Sequence, residues 1–113
     1  MEGMKNMLNQ IILVGRLAQD PKTIELENGR KKAIITLAVP RNYKNDNGMY
    51  DTDFIDCVLW NSIAENTTEY CRKGDLVGIK GRIETITSEE KKQLYAIAEK
   101  VTFLSSRKES EEV

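Results

Sequence analysis

Three aromatic side chains near the middle of the chain, Tyr43, Phe54 and Trp60, have flat faces on which a planar ligand can stack. At the two-residue period of a β-strand, residues 52–60 put Phe54 and Trp60 on one face with Asp56 between them. A carboxylate is rarely buried without a partner, so this face is expected to meet solvent or a ligand. Exposed aromatic rings on a strand therefore indicate a binding surface.

Positive charge is concentrated around Tyr43. The five cationic side chains between Gly29 and Asn45, with no acidic one among them, are Arg30, Lys31, Lys32, Arg41 and Lys44. Two more, on a strand expected to adjoin the aromatic one, are Lys80 and Arg82. A run of cations is often only a solvated surface. Stacking rings beside phosphate-binding cations are, however, what a sequence-tolerant binder of single-stranded nucleic acid requires.

Phe54 and Trp60 are expected to contact different bases. Six residues of strand separate them, which is about 20 Å at 3.3 Å per residue. Asp53 and Asp56 would repel phosphate, which indicates that bases face this strand. The alternative for each ring is structural: Trp60 could complete the core at a strand end, and Phe54 could cover an open barrel edge.

The composition argues against an enzyme. The chain has no histidine, which excludes an imidazole base and His-based metal sites. Asp53 and Asp56 are expected on opposite strand faces, and no nucleophile, metal cluster or phosphate-binding glycine loop accompanies them. Cys57 and Cys71 are expected to be buried hydrophobic residues in a reducing compartment. Neither a metal nor a cofactor is expected.

A chain of 113 residues with a net charge of −1 is expected to form one domain. Residues 7–104 are expected to form it, between a flexible extension (1–6) and a short disordered tail (105–113). The sequence contains no run long and apolar enough to span a bilayer and no signal-peptide pattern. We therefore expect a cytoplasmic protein with no membrane partner.

Five strands and one short helix are predicted to position these residues. The predicted strands are 8–17, 31–39, 52–60, 76–86 and 93–104, with a short edge segment at 23–26 and an exposed hairpin or loop at 41–50. The first strand is expected to be buried on both faces or to pair with a partner subunit, with a bulge or a sharp bend at Gly15. Pro40 is expected to end the pairing of the second strand.

Local signals predict the turns and the helix. Asn28-Gly29 predicts a type I′ turn. A helix of about ten residues that ends near Gly74 is predicted to begin with Asn61 or Ser62 as its cap, and Ser62 and Glu65 fit a capping box. Its expected buried side chains are Ile63, Thr67, Tyr70 and Cys71. A bulge near Glu99 would bring the last strand's expected core residues onto one face; these are Ile97, Val101 and Phe103.

This order of elements matches the OB-fold, an all-β, five-stranded Greek-key barrel with its helix between strands three and four. The fold binds oligonucleotides across strands two and three and the adjacent loops, where Tyr43, Phe54 and Trp60 are expected. The predicted function is therefore non-catalytic binding of a single-stranded nucleic acid, and these residues alone do not distinguish DNA from RNA. The alternative is an OB-fold subunit of a replication or translation complex that uses the same face to bind a protein.

Several sequence runs, in fixed order, closely resemble the bacterial single-stranded DNA-binding protein family. They are LNQIILVGRLAQDP (8–21), ITLAV (35–39), DFIDCVLW (53–60) with AE (64–65), YCRKG (70–74) and GIKGRI (78–83). The resemblance covers residues 7–104. It implies an OB-fold homo-oligomer, usually a tetramer, that coats single-stranded DNA in replication, recombination or repair. We expect assembly through the first strand and a location with the bacterial nucleoid.

The resemblance also implies that Tyr43, Phe54 and Trp60 stack on bases. This sequence departs from the family in two ways. Residues 85–92 form a hairpin that is expected to be shortened and to lack the family's further aromatic residue. The sequence ends at Glu111-Glu112-Val113 without the long linker and apolar tip that recruit partner enzymes, so recruitment and the choice between a replicative and an accessory role stay open.

Overall fold

The computed structural model describes residues 7–106, which form six strands and one helix. The strands are β1 (Ile11–Leu17), β2 (Thr23–Glu25), β3 (Lys31–Lys44), β4 (Tyr50–Trp60), β5 (Leu76–Ser88) and β6 (Lys91–Ser105), and helix α1 (Asn61–Tyr70) connects β4 to β5. Within this described range, no helix is both long and apolar enough to cross a membrane. The predicted extension 1–6 lies outside the described residues, as do residues 107–113 of the predicted tail, whereas Ser105 is the last residue of β6.

Five of the strands close into a barrel. They follow the order β1, β5, β6, β4 and β3, and β3 pairs back with β1; the short β2 pairs with β3 outside this circuit. All neighbours are antiparallel except β4 and β6. The prediction of an all-β OB-fold with one helix between the third and fourth barrel strands is confirmed, those strands being β4 and β5.

Strand β1 bends at Gly15 to reach both neighbours. It pairs with β5 as far as Arg16, whereas Arg16 and Leu17 also pair with β3. A Cβ atom at Gly15 would lie 2.7 Å from the carbonyl oxygen of Ala38, so only glycine allows this approach. Burial of β1 on both faces was the wrong expectation, because Ile12 is 71% exposed and Val14 is also exposed. The other expectation, pairing with a partner subunit, stays a prediction.

The barrel interior is filled by the alternate side chains of the strands. Its fully buried members include Leu17, Ile35, Leu37, Cys57, Leu59, Val77 and Ile79. Both cysteines are buried and free, as predicted. Burial raises the pKa of the Cys57 thiol to about 12 and that of the Cys71 thiol to about 11, so both stay protonated near neutral pH.

The helix begins and ends differently from the prediction. It starts at Asn61, directly after β4, and no side chain caps it, so the Ser62–Glu65 capping box is wrong. The Asn61 side chain instead accepts a hydrogen bond from the backbone N–H of Lys31, at 3.1 Å, which ties the helix start to β3. The helix ends at Tyr70, and Gly74 lies in the following turn.

The buried face of the helix is also shifted. Ala64 and Thr67 are its buried residues, whereas Tyr70 is exposed, contrary to the prediction. Ile63 packs against the core from a partly buried position, and Cys71 is buried just after the helix.

The predicted Asn28-Gly29 hairpin turn has a different geometry. Gly29 has a positive φ of 85° but Asn28 does not, and the Gly29 N–H donates to the carbonyl of Leu26. This fits a type I turn followed by a left-handed glycine, not a type I′ turn. The only two adjacent non-glycine residues with positive φ in the described chain are Glu89 and Glu90, at the tip of the β5–β6 hairpin.

Pro40 does not end β3. It pairs with Thr52 of β4, and the strand continues to Lys44 through an irregularity in the ladder, where a residue without an N–H is tolerated. Residues 41–50 therefore form the outer part of the β3–β4 hairpin, with its turn at 45–48.

The predicted bulge at Glu99 is present. Lys80 pairs with Lys100 and Gly81 with Ala98, which leaves Glu99 without an opposite residue. The bulge brings Ile97 into a buried position and Val101 against the core. Phe103 lies opposite Val77, on the same side of β6 as Val101, but it is exposed near the end of the strand, where its ring centroid is 6.1 Å from that of the exposed Tyr70.

Candidate nucleic-acid interface

The outer face of the β3–β4 pair is an open surface, which we call the stacking face. Its cross-strand pairs are Lys32 with Trp60, Ile34 with Val58, Thr36 with Asp56 and Ala38 with Phe54. The β3 members of these pairs are small, aliphatic or cationic. The rings of β4 therefore rise beside shorter neighbours, and a ligand can reach them from solvent.

Phe54 is the most open ring of this face, with 67% of its surface exposed. Its opposite residue, Ala38, is too small to cover it. Tyr43 is also exposed, in the outer part of the β3–β4 hairpin. The structural alternative for Phe54, covering an open barrel edge, does not fit a ring that leaves two thirds of its own surface exposed.

Trp60 lies at the other end of the stacking face, at intermediate burial. The Arg30 guanidinium carbon is 3.9 Å from its ring centroid, and the Lys32 ammonium is 5.5 Å from it. Both cations are within range of a cation–π interaction. Two predicted phosphate ligands and one predicted stacking ring thus form a single cluster, which can bind a base and its phosphate together.

A similar but looser contact lies at the hairpin end of the face. The Lys44 ammonium is 5.9 Å from the ring centroid of Tyr50, which is its cross-strand partner. Tyr50 has the same strand alternation as Phe54 and Trp60 and is exposed. Tyr50 is not among the residues predicted to stack, because the predicted strand starts at residue 52. The alternation itself was the signal that could have found it.

Three of the predicted phosphate ligands are engaged with carboxylates. Lys31 is 2.9 Å from a Glu65 carboxylate oxygen. Arg41 donates two hydrogen bonds to Asp53, at 2.9 and 3.1 Å, and lies 3.7 Å from Asp51. The third, Arg82, is bound between Glu84 and Glu99.

These ion pairs shift the pKa values of their members. The hydrogen bonds from Arg41 lower the pKa of Asp53, and those to Asp53 raise the pKa of Arg41. The hydrogen bond to Glu65 raises the pKa of Lys31 in the same way. All of these groups are partly exposed, so the pairs remain accessible to a competing anion and are screened by salt.

Lys80 and Arg82 do not lie beside the stacking face. Their strand, β5, runs between β1 and β6, so β6 or β1 separates it from the β3–β4 pair. The expectation of an adjoining strand was wrong because the Greek-key order places the fourth barrel strand across the barrel. Lys80 is exposed in one row with Ile12 of β1 and Lys100 of β6.

The two acidic residues of β4 differ in position. Asp56 lies on the stacking face and accepts a hydrogen bond from Thr36 at 2.7 Å. Asp53 alternates to the reverse face, where Arg41 pairs with it. One negative charge therefore remains between the Phe54 and Trp60 rings. In residues 7–106, no cluster of His, Cys, Asp or Glu could hold a metal ion.

Comparison with known proteins identifies the family of this chain. The single-strand binding protein family matches residues 8–104. Single-stranded DNA-binding protein B of Bacillus subtilis (strain 168) is 49% identical over 79 residues, which cover 70% of this chain and 70% of that protein. The single-stranded DNA-binding protein of Lactiplantibacillus plantarum is 43% identical over 110 residues, which cover 93% of this chain and 55% of the relative.

A third relative extends the same pattern. The single-stranded DNA-binding protein of Enterococcus faecalis is 41% identical over 111 residues, covering 94% of this chain and 59% of the relative. The matched part is thus 55 to 70% of the length of these three proteins. The family match covers the whole barrel, including every strand that builds the stacking face, and the chain therefore belongs to the single-strand binding protein family.

Proposed function

We propose that this chain binds single-stranded DNA on its stacking face without strong sequence preference. The observation that carries the proposal is the open β4 face with exposed Phe54 and with Trp60 under two cations. Relatives in the same family carry the name single-stranded DNA-binding protein, which supports the choice of ligand.

Base stacking supplies the sequence-independent part of the affinity. Every base has a π-face, and stacking on an aromatic side chain is worth about 1–3 kcal/mol per base. Phe54 and Trp60 are too far apart for one base, so each contacts its own, and Tyr43 contributes a third ring from the hairpin. Tyr50 joins this set because it is exposed on the same side of β4.

The cations are proposed to follow the phosphates in two groups. Arg30, Lys32 and Lys44 lie over aromatic rings and not against carboxylates, so each can move from its ring to the phosphate of a nucleotide whose base stacks there. The second group must first exchange a carboxylate for a phosphate, and it consists of Lys31, Arg41 and Arg82. Lys80 is proposed to meet DNA only if the strand continues around the barrel.

We further propose a non-catalytic role in DNA replication, recombination or repair in the bacterial cytoplasm. The protein coats exposed single strands, and its work consists of binding alone. A homo-oligomer, with a tetramer as the expected state, is proposed to assemble through β1. The exposed side chains of Ile12 and Val14 support this, because both project from an otherwise paired strand. A solution mass measurement that gives only monomer would contradict the assembly.

Titration with oligo(dT), followed by the fluorescence of Trp60, tests the proposed function. Trp60 is the only tryptophan, so its emission reports directly on the stacking face. We expect quenching and binding that weakens as salt rises, and much weaker binding of a duplex of equal length. Unchanged emission with no binding at low salt would refute the proposal and favour a protein-binding subunit. A parallel titration with oligo(U) measures the discrimination against RNA.

A further inference from the structure

A cleft of which the DNA-binding proposal uses only Lys32 lies at the β2 edge of the stacking face. Its volume is about 260 Å³, and it is lined by Lys22, Ile24, Lys32 and Ile34. Ile24 is 57% exposed and Ile34 is 46% exposed, which is unusual for two adjacent aliphatic side chains in a sheet. An apolar floor between two cations is therefore open to solvent.

Strand register makes this cleft continuous with Trp60. Ile24 of β2 pairs with Lys32 of β3, and Lys32 pairs with Trp60 of β4. The three side chains thus form one row across the sheet, with about 10 Å between the outer two strands. Ile34 belongs to the next row of the same face, and Lys32 contacts both the cleft and the Trp60 ring.

The orientation of β2 is fixed by hydrogen bonds from its other face. The Thr23 hydroxyl lies 3.1 Å from the carbonyl oxygen of Ala64 and 2.6 Å from the Thr68 hydroxyl, both on the helix. Because side chains alternate along a strand, Ile24 must point away from the helix and toward the stacking face. The exposure of Ile24 therefore follows from the position of β2 against the helix.

Charge distinguishes this cleft from the one on the helix side of β2. The helix-side cleft contains one lysine, Lys31, and three carboxylates, those of Glu25, Glu65 and Glu69. The cleft on the stacking face is lined by two lysines and by no acidic residue. A phosphodiester chain that leaves Trp60 is thus repelled from the helix side and attracted to Lys22 and Lys32.

We infer that the cleft is a nucleotide subsite of the same bound single strand. The nucleotide next to the one on Trp60 would place its sugar and base against Ile24 and Ile34. Its flanking phosphates would contact Lys22 and Lys32. An aliphatic floor offers no hydrogen bonds to base edges, so this subsite accepts any base. The inference rests on the proposed function, and it extends the bound strand from β4 across β3 to β2.

The test compares three single variants with the parent protein in oligo(dT) titrations over a range of salt. Lys22→Ala removes one phosphate contact, so the slope of log affinity against log salt should fall by about 0.7. Ile24→Asn removes the apolar floor and should weaken binding at least about threefold with an unchanged slope. Leu94→Asn, which replaces another exposed aliphatic side chain by Asn on β6, is the matched control and should bind like the parent.

The outcomes separate this inference from the function on which it rests. If the parent quenches Trp60 and binds, but Lys22→Ala and Ile24→Asn bind equally well with the parent slope, the subsite is refuted and the function stands. If the parent itself does not bind, the proposed function fails. A thermal melt of each variant checks folding. If Ile24→Asn is unstable, Lys22→Ala still decides the test, because the Lys22 side chain makes no hydrogen bond or ion pair within residues 7–106.

Discussion

Two long hairpins extend from the same barrel and differ in what their surfaces offer. The β3–β4 strands have 14 and 11 residues, and the β5–β6 strands have 13 and 15. The first hairpin exposes the aromatic rings of Tyr43, Tyr50 and Phe54. The outer part of the second exposes Ile86 and Leu94, and the hydroxyl of its only tyrosine, Tyr95, donates to Gln93. Its one exposed aromatic ring, Phe103, lies at the opposite end of β6, beside Tyr70 of the helix.

The charged side chains of the two hairpins also have different surroundings. On the β3–β4 side, Arg30, Lys32 and Lys44 lie over rings. On the β5–β6 side, Arg82 is held by two carboxylates, and the turn consists of Glu89 and Glu90. Only the first hairpin therefore combines open rings with neighbouring cations that no carboxylate neutralises. The proposed function assigns DNA binding to it for this reason.

The largest expected effect comes from removing a ring from the first hairpin and an equally exposed side chain from the second. Phe54→Ala should weaken oligo(dT) binding by about 1–3 kcal/mol, because one stacked base loses its partner. Leu94→Ala, which removes a side chain of the same 67% exposure, should leave binding unchanged. Fluorescence titration at one salt concentration measures both. Equal losses would remove the proposed difference between the hairpins.

The converse substitution should give the second hairpin a stacking position. Leu94→Trp adds an aromatic face to the exposed outer surface of β6 and should strengthen binding of long oligo(dT) by about 1 kcal/mol. Short oligonucleotides, which cover only the stacking face, should show no gain. If long strands also gain nothing, bound DNA does not pass the β5–β6 hairpin, and the two hairpins differ in position as well as in chemistry.

Salt dependence separates the cations of the two hairpins. Lys32→Ala should reduce the slope of log affinity against log salt by about 0.7, the value for one phosphate contact on single strands. Arg82→Ala should change the slope little, because Arg82 is already bound to Glu84 and Glu99. Titrations at four or more salt concentrations give the slopes. A larger change for Arg82 would mean that phosphate displaces its carboxylates.

The smallest effect is expected from releasing Arg41. Asp53→Asn removes its main charged partner, so Arg41 becomes available to phosphate and the salt slope should rise by up to about 0.7. The pair should also add stability that is present above about pH 4, the ordinary pKa of an aspartate. Because Arg41 lowers the pKa of Asp53, that contribution is lost as the pH falls through the lowered pKa. Denaturant melts of parent and variant at pH 7 and pH 3 check this; an equal difference at both pH values would contradict it.

Sequence patterns predicted the barrel well because its strands have a clear two-residue alternation. The core positions Ile35, Leu37, Cys57 and Leu59 and the bulge at Glu99 follow from that period. The turn geometry and the helix cap could not be predicted as well from the sequence. Asn61 could have capped the helix, but its side chain accepts a hydrogen bond from Lys31, which lies 30 residues earlier in the sequence. Such a competing partner exists only in the folded chain.

The shared face of the aromatic residues could be predicted from the sequence, but the ion-pair partners of the cationic residues could not. Phe54 and Trp60 share one face because alternation fixes them, and the open face in the structure agrees with that expectation. Sequence could not show that Arg41 would meet Asp53 or that Arg82 would meet Glu99, because those contacts depend on strand register. Nor could composition show that β5 lies across the barrel from β3 and β4.

Strand β1 pairs with a strand that is distant in the sequence, and this has a consequence for the order in which the molecule folds. The β3–β4 and β5–β6 hairpins pair residues that are close in sequence, whereas β1 must find β5, with Ile11 opposite Gly81. Local hairpins form in microseconds, and pairings between distant segments carry a larger loop-closure cost and come later. We therefore expect the surface with the aromatic rings to form early, and the closure of the barrel by β1 to be the slow step.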